Sequence, residues 1–180
     1  MATIAPRRPS GRWPDFGRDF GFAVRDRRAL TSYLDASLMI PILVKEPASA
    51  VVDALMSTAE EKPWVSDLAA AEVASALSRL VRIGRLQAAD GTACLFDFDV
   101  WRGAMTLSAE IHAADVRLAD AYVRRFDLGL RASDALHVAI ARWLDATLVT
   151  LDRRLATAAR ELGVSVEEPA TKRTKARRNG

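Results

Sequence analysis

Leu130-Arg131-Ala132-Ser133-Asp134-Ala135-Leu136-His137-Val138-Ala139-Ile140-Ala141-Arg142-Trp143-Leu144, then Asp145 and Ala146-Thr147-Leu148-Val149-Thr150-Leu151-Asp152, is the stretch on which the fold turns. From Ala135 to Leu144 almost every residue is apolar, which leaves little polar face and marks a helix buried in a core. Ala146 to Leu151 favours β structure without alternation, as expected of a strand covered on both faces. A buried helix leading into a buried strand is a unit of a parallel sheet, so the expected class is α/β, with helices on both faces of a central sheet. Besides Asp145 between helix and strand, two acids flank these apolar runs. Asp134 sits in the first turn of the helix, where the free N–H groups and positive dipole end stabilise a carboxylate whatever its function. Asp152 directly follows the strand.

Working outward, Leu30 to Leu34 reads as the first strand, ending in Asp35, with Ser37 placed to cap a brief helix punctuated by Pro41 and Pro47. Val51 to Ala59 follows as a helix and Trp64 to Ser66 as the second strand. From Leu68 to Arg82 the apolar positions Ala69, Val73, Ala76, Leu77 and Leu80 recur at helical spacing, and Gly84 ends the pattern. Glu72 lies at the margin of that stripe. Helices are expected from Gln87 to Trp101 and from Ala113 to Phe126, the latter broken by Gly129. Arg153 to Leu162 is expected to be the last helix, closed by Gly163, before a strand at Val164 to Val166. No internal repeat is present.

The chain has 180 residues, half of them hydrophobic, which suits one domain with a substantial core. Its longest apolar run, Leu38 to Val44, is interrupted by Pro41 and far too short for a membrane span. The arginine-rich amino terminus lacks the apolar segment of a secretory signal, and a single cysteine, Cys94, excludes an internal disulfide, so a cytoplasmic location is expected. With only His112 and His137, zinc chemistry is disfavoured.

The net charge of +3 conceals a division. Residues 1–29 carry seven Arg against three Asp, and residues 170–180 carry five Lys or Arg and no acid, which leaves the body between them acidic. The expected organisation is therefore a basic extension at 1–29, a folded domain at 30–169 and a basic tail at 170–180. The extension is read as a disordered segment or one upstream of the true translation start. Trp13, Phe16, Phe20 and Phe22 interleave with its arginines and could instead stack on RNA bases or dock on the domain.

In parallel sheets the functional crevice lies beyond the carboxyl ends of the strands, where strand order reverses. Asp35 and Asp152 each follow a strand, and Glu72 and Asp134 lie near the starts of helices that begin at the same edge. Each has a local explanation as a cap or a surface acid, but their coincidence points to one site. Two carboxylates about 4 Å apart repel by roughly 4 kcal/mol at an effective dielectric of 20, so gathering them calls for a counter-charge. Oxygen ligands without His or Cys suit Mg²⁺ or Mn²⁺, ions that engage phosphate oxygens and activate water. The hydroxyls of Ser37 and Thr150 are close enough in sequence to assist.

The ordered set of Asp35-Ala36-Ser37 after a strand, Ala70-Ala71-Glu72-Val73, Leu130-Arg131-Ala132-Ser133-Asp134-Ala135-Leu136-His137, and Leu148-Val149-Thr150-Leu151-Asp152 resembles the PIN-domain ribonucleases, especially the VapC-type toxins of toxin–antitoxin pairs. The likeness runs from about Thr31 to Val166. It implies a Mg²⁺- or Mn²⁺-dependent endoribonuclease that leaves a 5′-phosphate, a homodimer, and a cognate VapB-type antitoxin that blocks the site. By position, Asp35, Glu72, Asp134 and Asp152 would be catalytic acids and metal ligands, with Ser37 and Thr150 supporting them. Arg131, Arg153 and Arg154 flank the crevice and are candidate RNA contacts, while His137 is expected to pack or to support a ligand rather than to act as a base. The departures are the amino-terminal extension and the basic tail.

Other folds also place an aspartate after the first strand. Haloacid-dehalogenase domains require Asp-x-Asp, where this chain has Ser37, and receiver domains require an acidic pair before the aspartate, which is absent. A PIN-like module that binds RNA or protein without cutting is the non-enzymatic alternative. Such modules have lost acidic ligands, and here all four are present.

Overall fold

The computed structural model describes residues 3–7 and 31–170. Five parallel strands form one sheet in the order β3-β2-β1-β4-β5: β1 (Ser32–Leu34), β2 (Trp64–Ser66), β3 (Leu107–Ala109), β4 (Thr147–Val149) and β5 (Val166–Glu167). The α/β class expected from sequence is the one observed. Starting at β1, the chain builds outward through β2 to β3, then returns to the other side of β1 with β4 and β5. Strand order therefore reverses between β1 and β4, whose residues pair in register from Ser32 with Thr147 to Leu34 with Val149.

Seven helices cover the two faces among the described residues: α1 (Ala36–Leu43), α2 (Ser49–Ser57), α3 (Asp67–Arg82), α4 (Ala88–Met105), α5 (Ala113–Val123), α6 (Ala132–Trp143) and α7 (Arg153–Glu161). Side chains alternate across a strand, so neighbours in β1 and β4 enter different cores. Leu34 and Val149 pack with Leu38, Val52, Val73, Leu77 and Phe98 under the first four helices. Tyr33 and Leu148 pack on the other side with Ala119, Val138, Ile140, Leu155 and Ala159. The continuous apolar reading of the Leu130 stretch is thereby explained: α6 buries Ala135 and Val138 through Ala141 completely.

The departures from the sequence reading are local. The helix α1 is capped by Asp35, whose side chain accepts the Ser37 N–H, and Ser37 lies inside the helix rather than at its cap. Pro41 does not end α1, which continues to Leu43. Strand β3 went unrecognised because three residues, Leu107-Ser108-Ala109, at the sheet edge are too few to display a period. The helix expected to reach Phe126 stops at Val123, and a 3₁₀ turn at Phe126–Leu128 closes on Gly129, whose φ of 60° suits a residue without a Cβ.

Residues 3–7 differ from the expectation of an unattached extension. Pro6 bridges to Val44, the Ile4 N–H reaches Arg85 O at 2.8 Å, and the Arg7 N–H reaches Leu43 O at 2.7 Å. The Arg7 guanidinium binds the Pro41 carbonyl and the Asp53 carboxylate, and Ile4 packs on the core. Trp13, Phe16, Phe20 and Phe22 lie outside the described residues, as does the tail beyond Ala170. No helix among the described residues is long and apolar enough to cross a membrane.

Candidate active site

The reversal of strand order places the end of β1 beside the end of β4, and Asp35 and Asp152 follow those two ends. Thr150 joins them. Its hydroxyl donates to Asp35 Oδ2 at 2.8 Å and accepts the Asp152 N–H at 2.9 Å. The other oxygen of Asp35 accepts the backbone N–H and the hydroxyl of Ser37, and Ser37 Oγ in turn accepts the Leu151 N–H at 2.8 Å. Both hydroxyls singled out in the sequence thus hold the Asp35 carboxylate, which is 5% exposed. Burial pushes its carboxyl above the ordinary value, against the opposing pull of the Ser37 and Thr150 hydrogen bonds and of nearby His137. Asp152 is exposed and caps α7 by accepting the N–H groups of Arg154 and Leu155.

Glu72 reaches a different set of partners. One oxygen lies 2.7 Å from His137 Nε2, and Ser133 stands nearby at the start of α6. Burial pushes its carboxyl up, but His137 and Ser133 outweigh that and hold it below the ordinary glutamate value. Asp134, the next residue after Ser133, accepts the Arg131 N–H at 3.1 Å and closes the first turn of α6. The four acids are thus held in place by separate partners. Among the described residues no three His, Cys, Asp or Glu side chains are disposed to hold one ion.

Asp35 provides the clearest test of whether a cation suits the site. A nearly buried carboxylate that accepts hydrogen bonds only from neutral donors, and whose proton affinity is raised by burial, is relieved by an adjacent positive charge. The donors at this edge are carboxylate and hydroxyl oxygens, matching a hard divalent ion. Donor chemistry therefore fits a cation at Asp35.

Beside Asp152 lies a cleft of about 330 Å³ lined by Asp127, Leu128, Arg153, Arg154, Thr157 and Glu161. Arg154 Nη2 donates to Gly129 O at 3.0 Å and ties the turn before α6 to the start of α7. Phe126, on that turn, is 89% exposed.

His137 is 2% exposed and bonded to Glu72, in keeping with its reading as a supporting residue. Sequence reasoning missed Tyr33 and Ser66, whose hydroxyls lie 2.8 Å apart and continue the contact from His137. The signal that marks them is a polar residue inside a buried strand, Ser32-Tyr33-Leu34 and Trp64-Val65-Ser66.

The family described as PIN domain matches residues 32–161. The chain belongs to the PIN domain family. Among relatives of this PIN domain, Ribonuclease VapC3 of Pyrobaculum aerophilum is 32% identical over 123 residues, 68% of this chain and 90% of that protein. Ribonuclease VapC3 of Mycobacterium tuberculosis is 36% identical over 127 residues, 69% of this chain and 85% of that one. The fold is shared with FitAcB of Neisseria gonorrhoeae at a TM-score of 0.59 and 21% identity, covering 77% of this chain and 98% of that one. It is also shared with Mycobacterium tuberculosis VapC20, a sarcin-ricin loop cleaving toxin, at 0.56 and 13%, covering 71% and 95%.

Proposed function

We infer that this PIN domain is an endoribonuclease, the toxin of a type II toxin–antitoxin pair, that hydrolyses RNA phosphodiester bonds with Mg²⁺ or Mn²⁺. Two relatives that the chain covers over most of their length carry the name ribonuclease. The observation that carries the reading is the Asp35–Thr150–Asp152 junction at the reversal of strand order.

Asp35, Glu72, Asp134 and Asp152 are the acids assigned to hold the cation. When bound, a divalent ion lowers the pKa of an attacking water and neutralises charge on the phosphate. Ser37 and Thr150 fix the orientation of Asp35 through their hydroxyls. Glu72, held below its ordinary value, is ionised at neutral pH and available as an anionic ligand. Arg131, Arg153 and Arg154, all exposed around the starts of α6 and α7, are assigned to RNA phosphates. The cut leaves a 5′-phosphate.

Residues 30–169 form the nuclease unit, and the basic segments 1–29 and 170–180 are additions to it. The partners are a VapB-type antitoxin and a second copy of this chain, in the cytoplasm.

Incubation of the purified full chain with total RNA, and Mg²⁺ or Mn²⁺ or EDTA, tests the reading. Cleavage is expected with metal only, and Asp35→Asn and Asp134→Asn are expected to abolish it while circular dichroism remains native. Undiminished cleavage by both variants would overturn the assignment of the site, and RNA retention without any cutting by wild type would mark a binding module instead.

A further inference from the structure

Glu72, His137, Tyr33 and Ser66 form one hydrogen-bonded series that runs from the site into the interior. Glu72 Oε2 is 2.7 Å from His137 Nε2, His137 Nδ1 is 2.7 Å from Tyr33 Oη, and Tyr33 Oη is 2.8 Å from Ser66 Oγ. Ser66 caps α3, the helix that carries Glu72, by accepting the Ala69 N–H at 3.2 Å. Three separate elements converge here, since Tyr33 is on β1, Ser66 ends β2 and His137 is on α6. Tyr33 and Ser66 are fully buried and His137 nearly so, while the Glu72 side chain keeps 31% of its exposure.

The donors and acceptors admit one consistent direction when the imidazole is neutral. An ionised Glu72 only accepts, so the ring proton sits on Nε2 and points at the carboxylate. Nδ1 then carries the lone pair and accepts from the Tyr33 O–H. Tyr33 Oη accepts from the Ser66 O–H, and Ser66 Oγ is free to accept the Ala69 N–H. Every polar hydrogen points towards Glu72, and no buried partner is left unsatisfied. The Glu72 carboxylate thus selects the tautomer, the Tyr33 hydroxyl holds the ring through Nδ1, and the imidazole, locked in the core, fixes where the Glu72 oxygen stands.

We propose that His137 and Tyr33 are positioning residues for the reaction: through the fixed Nε2–H tautomer they hold the Glu72 carboxylate at the edge of the site where it is used. The proposal rests on Glu72 being an active-site acid, as in the preceding section. Neither residue touches RNA or the reacting atoms in this assignment. Loss of such a partner behind a ligating group lowers activity or metal affinity by about 10- to 100-fold in comparable sites.

The test uses the full chain with His137→Gln, His137→Leu, Tyr33→Phe and Glu72→Gln, assayed well below each variant's melting temperature. Glutamine can place its amide N–H where Nε2–H stood, whereas leucine cannot. His137→Leu and Tyr33→Phe are expected to lower kcat for RNA cleavage by about 10-fold or more with KM little changed, and His137→Gln to restore most of the loss. Mn²⁺ binding, read by electron paramagnetic resonance without RNA, should weaken in His137→Leu and no further in the double variant with Glu72→Gln. The ¹⁵N spectrum of the wild-type imidazole should show its proton on Nε2, and Glu72→Gln should relax that preference.

Wild-type kcat and Mn²⁺ affinity in His137→Leu, with only a lower Tm, would reduce the series to packing and overturn the proposal. So would a ring proton resident on Nδ1. If Glu72→Gln itself cleaves like wild type, the assignment of Glu72 fails and the proposal falls with it. Loss in Glu72→Gln beside full activity in His137→Leu would sink the positioning role alone.

Discussion

Thr150 Oγ1 lies 2.8 Å from Asp35 Oδ2 across 115 positions of sequence, and the same oxygen receives the Asp152 N–H. One fully buried hydroxyl therefore links the ends of the two strands between which strand order reverses. Thr150→Val keeps the shape and removes both bonds. Leaving buried groups unsatisfied costs about 1–3 kcal/mol, so Tm should fall by about 3–10 °C, measured by calorimetry. Cleavage should fall as well, because Asp35 loses one of the donors that orient it. A variant with unchanged melting and unchanged cleavage would remove Thr150 from the site.

Asp35 and Glu72 are displaced in opposite directions, and their variants should respond to pH oppositely. Burial raises Asp35, so the folded state holds its proton more tightly than the unfolded chain, and wild type loses stability as pH rises from 3.8 through the higher folded value. Asp35→Asn escapes that loss. In EDTA it should melt no lower than wild type at neutral pH, and its advantage should shrink on acidification. Mn²⁺ should raise its Tm less than it raises that of wild type.

For Glu72 the sign reverses. Its folded value lies below the ordinary 4.5, so the stability it contributes is present above 4.5 and lost as pH falls through the lower folded value. Glu72→Gln should therefore melt below wild type at neutral pH, with the gap closing in acid. The effect is modest because the group is only half-buried. Melting curves between pH 3 and 7 separate the two carboxylates, and parallel pH profiles for both variants would contradict these environments.

Ile4 and Arg7 bind the turn between α3 and α4 at Arg85 and the carboxyl-terminal end of α1, and reach Asp53 on α2. A chain beginning at Leu30 lacks those contacts and should lose about 1–2 kcal/mol, or about 3–6 °C in Tm, since Ile4 is half-buried and the ion pair partly exposed. Arg7→Ala in the full chain should show part of that loss. Identical melting of full and shortened chains would mean that residues 3–7 add nothing to stability.

Arg153 and Arg154 differ in what else they hold. Arg154 also secures the Gly129 carbonyl, so Arg154→Ala should lower Tm slightly as well as weaken RNA binding. Arg153→Ala should raise KM with kcat and Tm unchanged, and reduce the slope of log affinity against log salt by about 0.7. Binding by filter retention at several salt concentrations checks both, and an unaltered slope would remove Arg153 from the RNA path.

Periodicity and composition determined much by themselves. The apolar run of α6 announced burial, the unalternating Ala146 to Leu151 run announced a covered strand, and Asp35 and Asp152 each announced the end of a strand. These are local signals, because helix and strand periods and caps are set by residues a few positions apart. Their limits were equally local: three-residue β3 carries no period, and a capping aspartate and a serine two residues later compete for the same role at the start of α1.

Tertiary structure alone decided which acid meets which partner. Glu72 and His137 are 65 positions apart, Tyr33 and His137 are 104 apart, and nothing in either neighbourhood encodes the meeting. Likewise the sequence placed Ser37 two residues after Asp35 and Thr150 two before Asp152, but only packing of β1 against β4 directed both hydroxyls onto Asp35. A buried polar group must find a partner wherever the fold supplies one, and that choice is made by the whole packed interior rather than by the residues beside it.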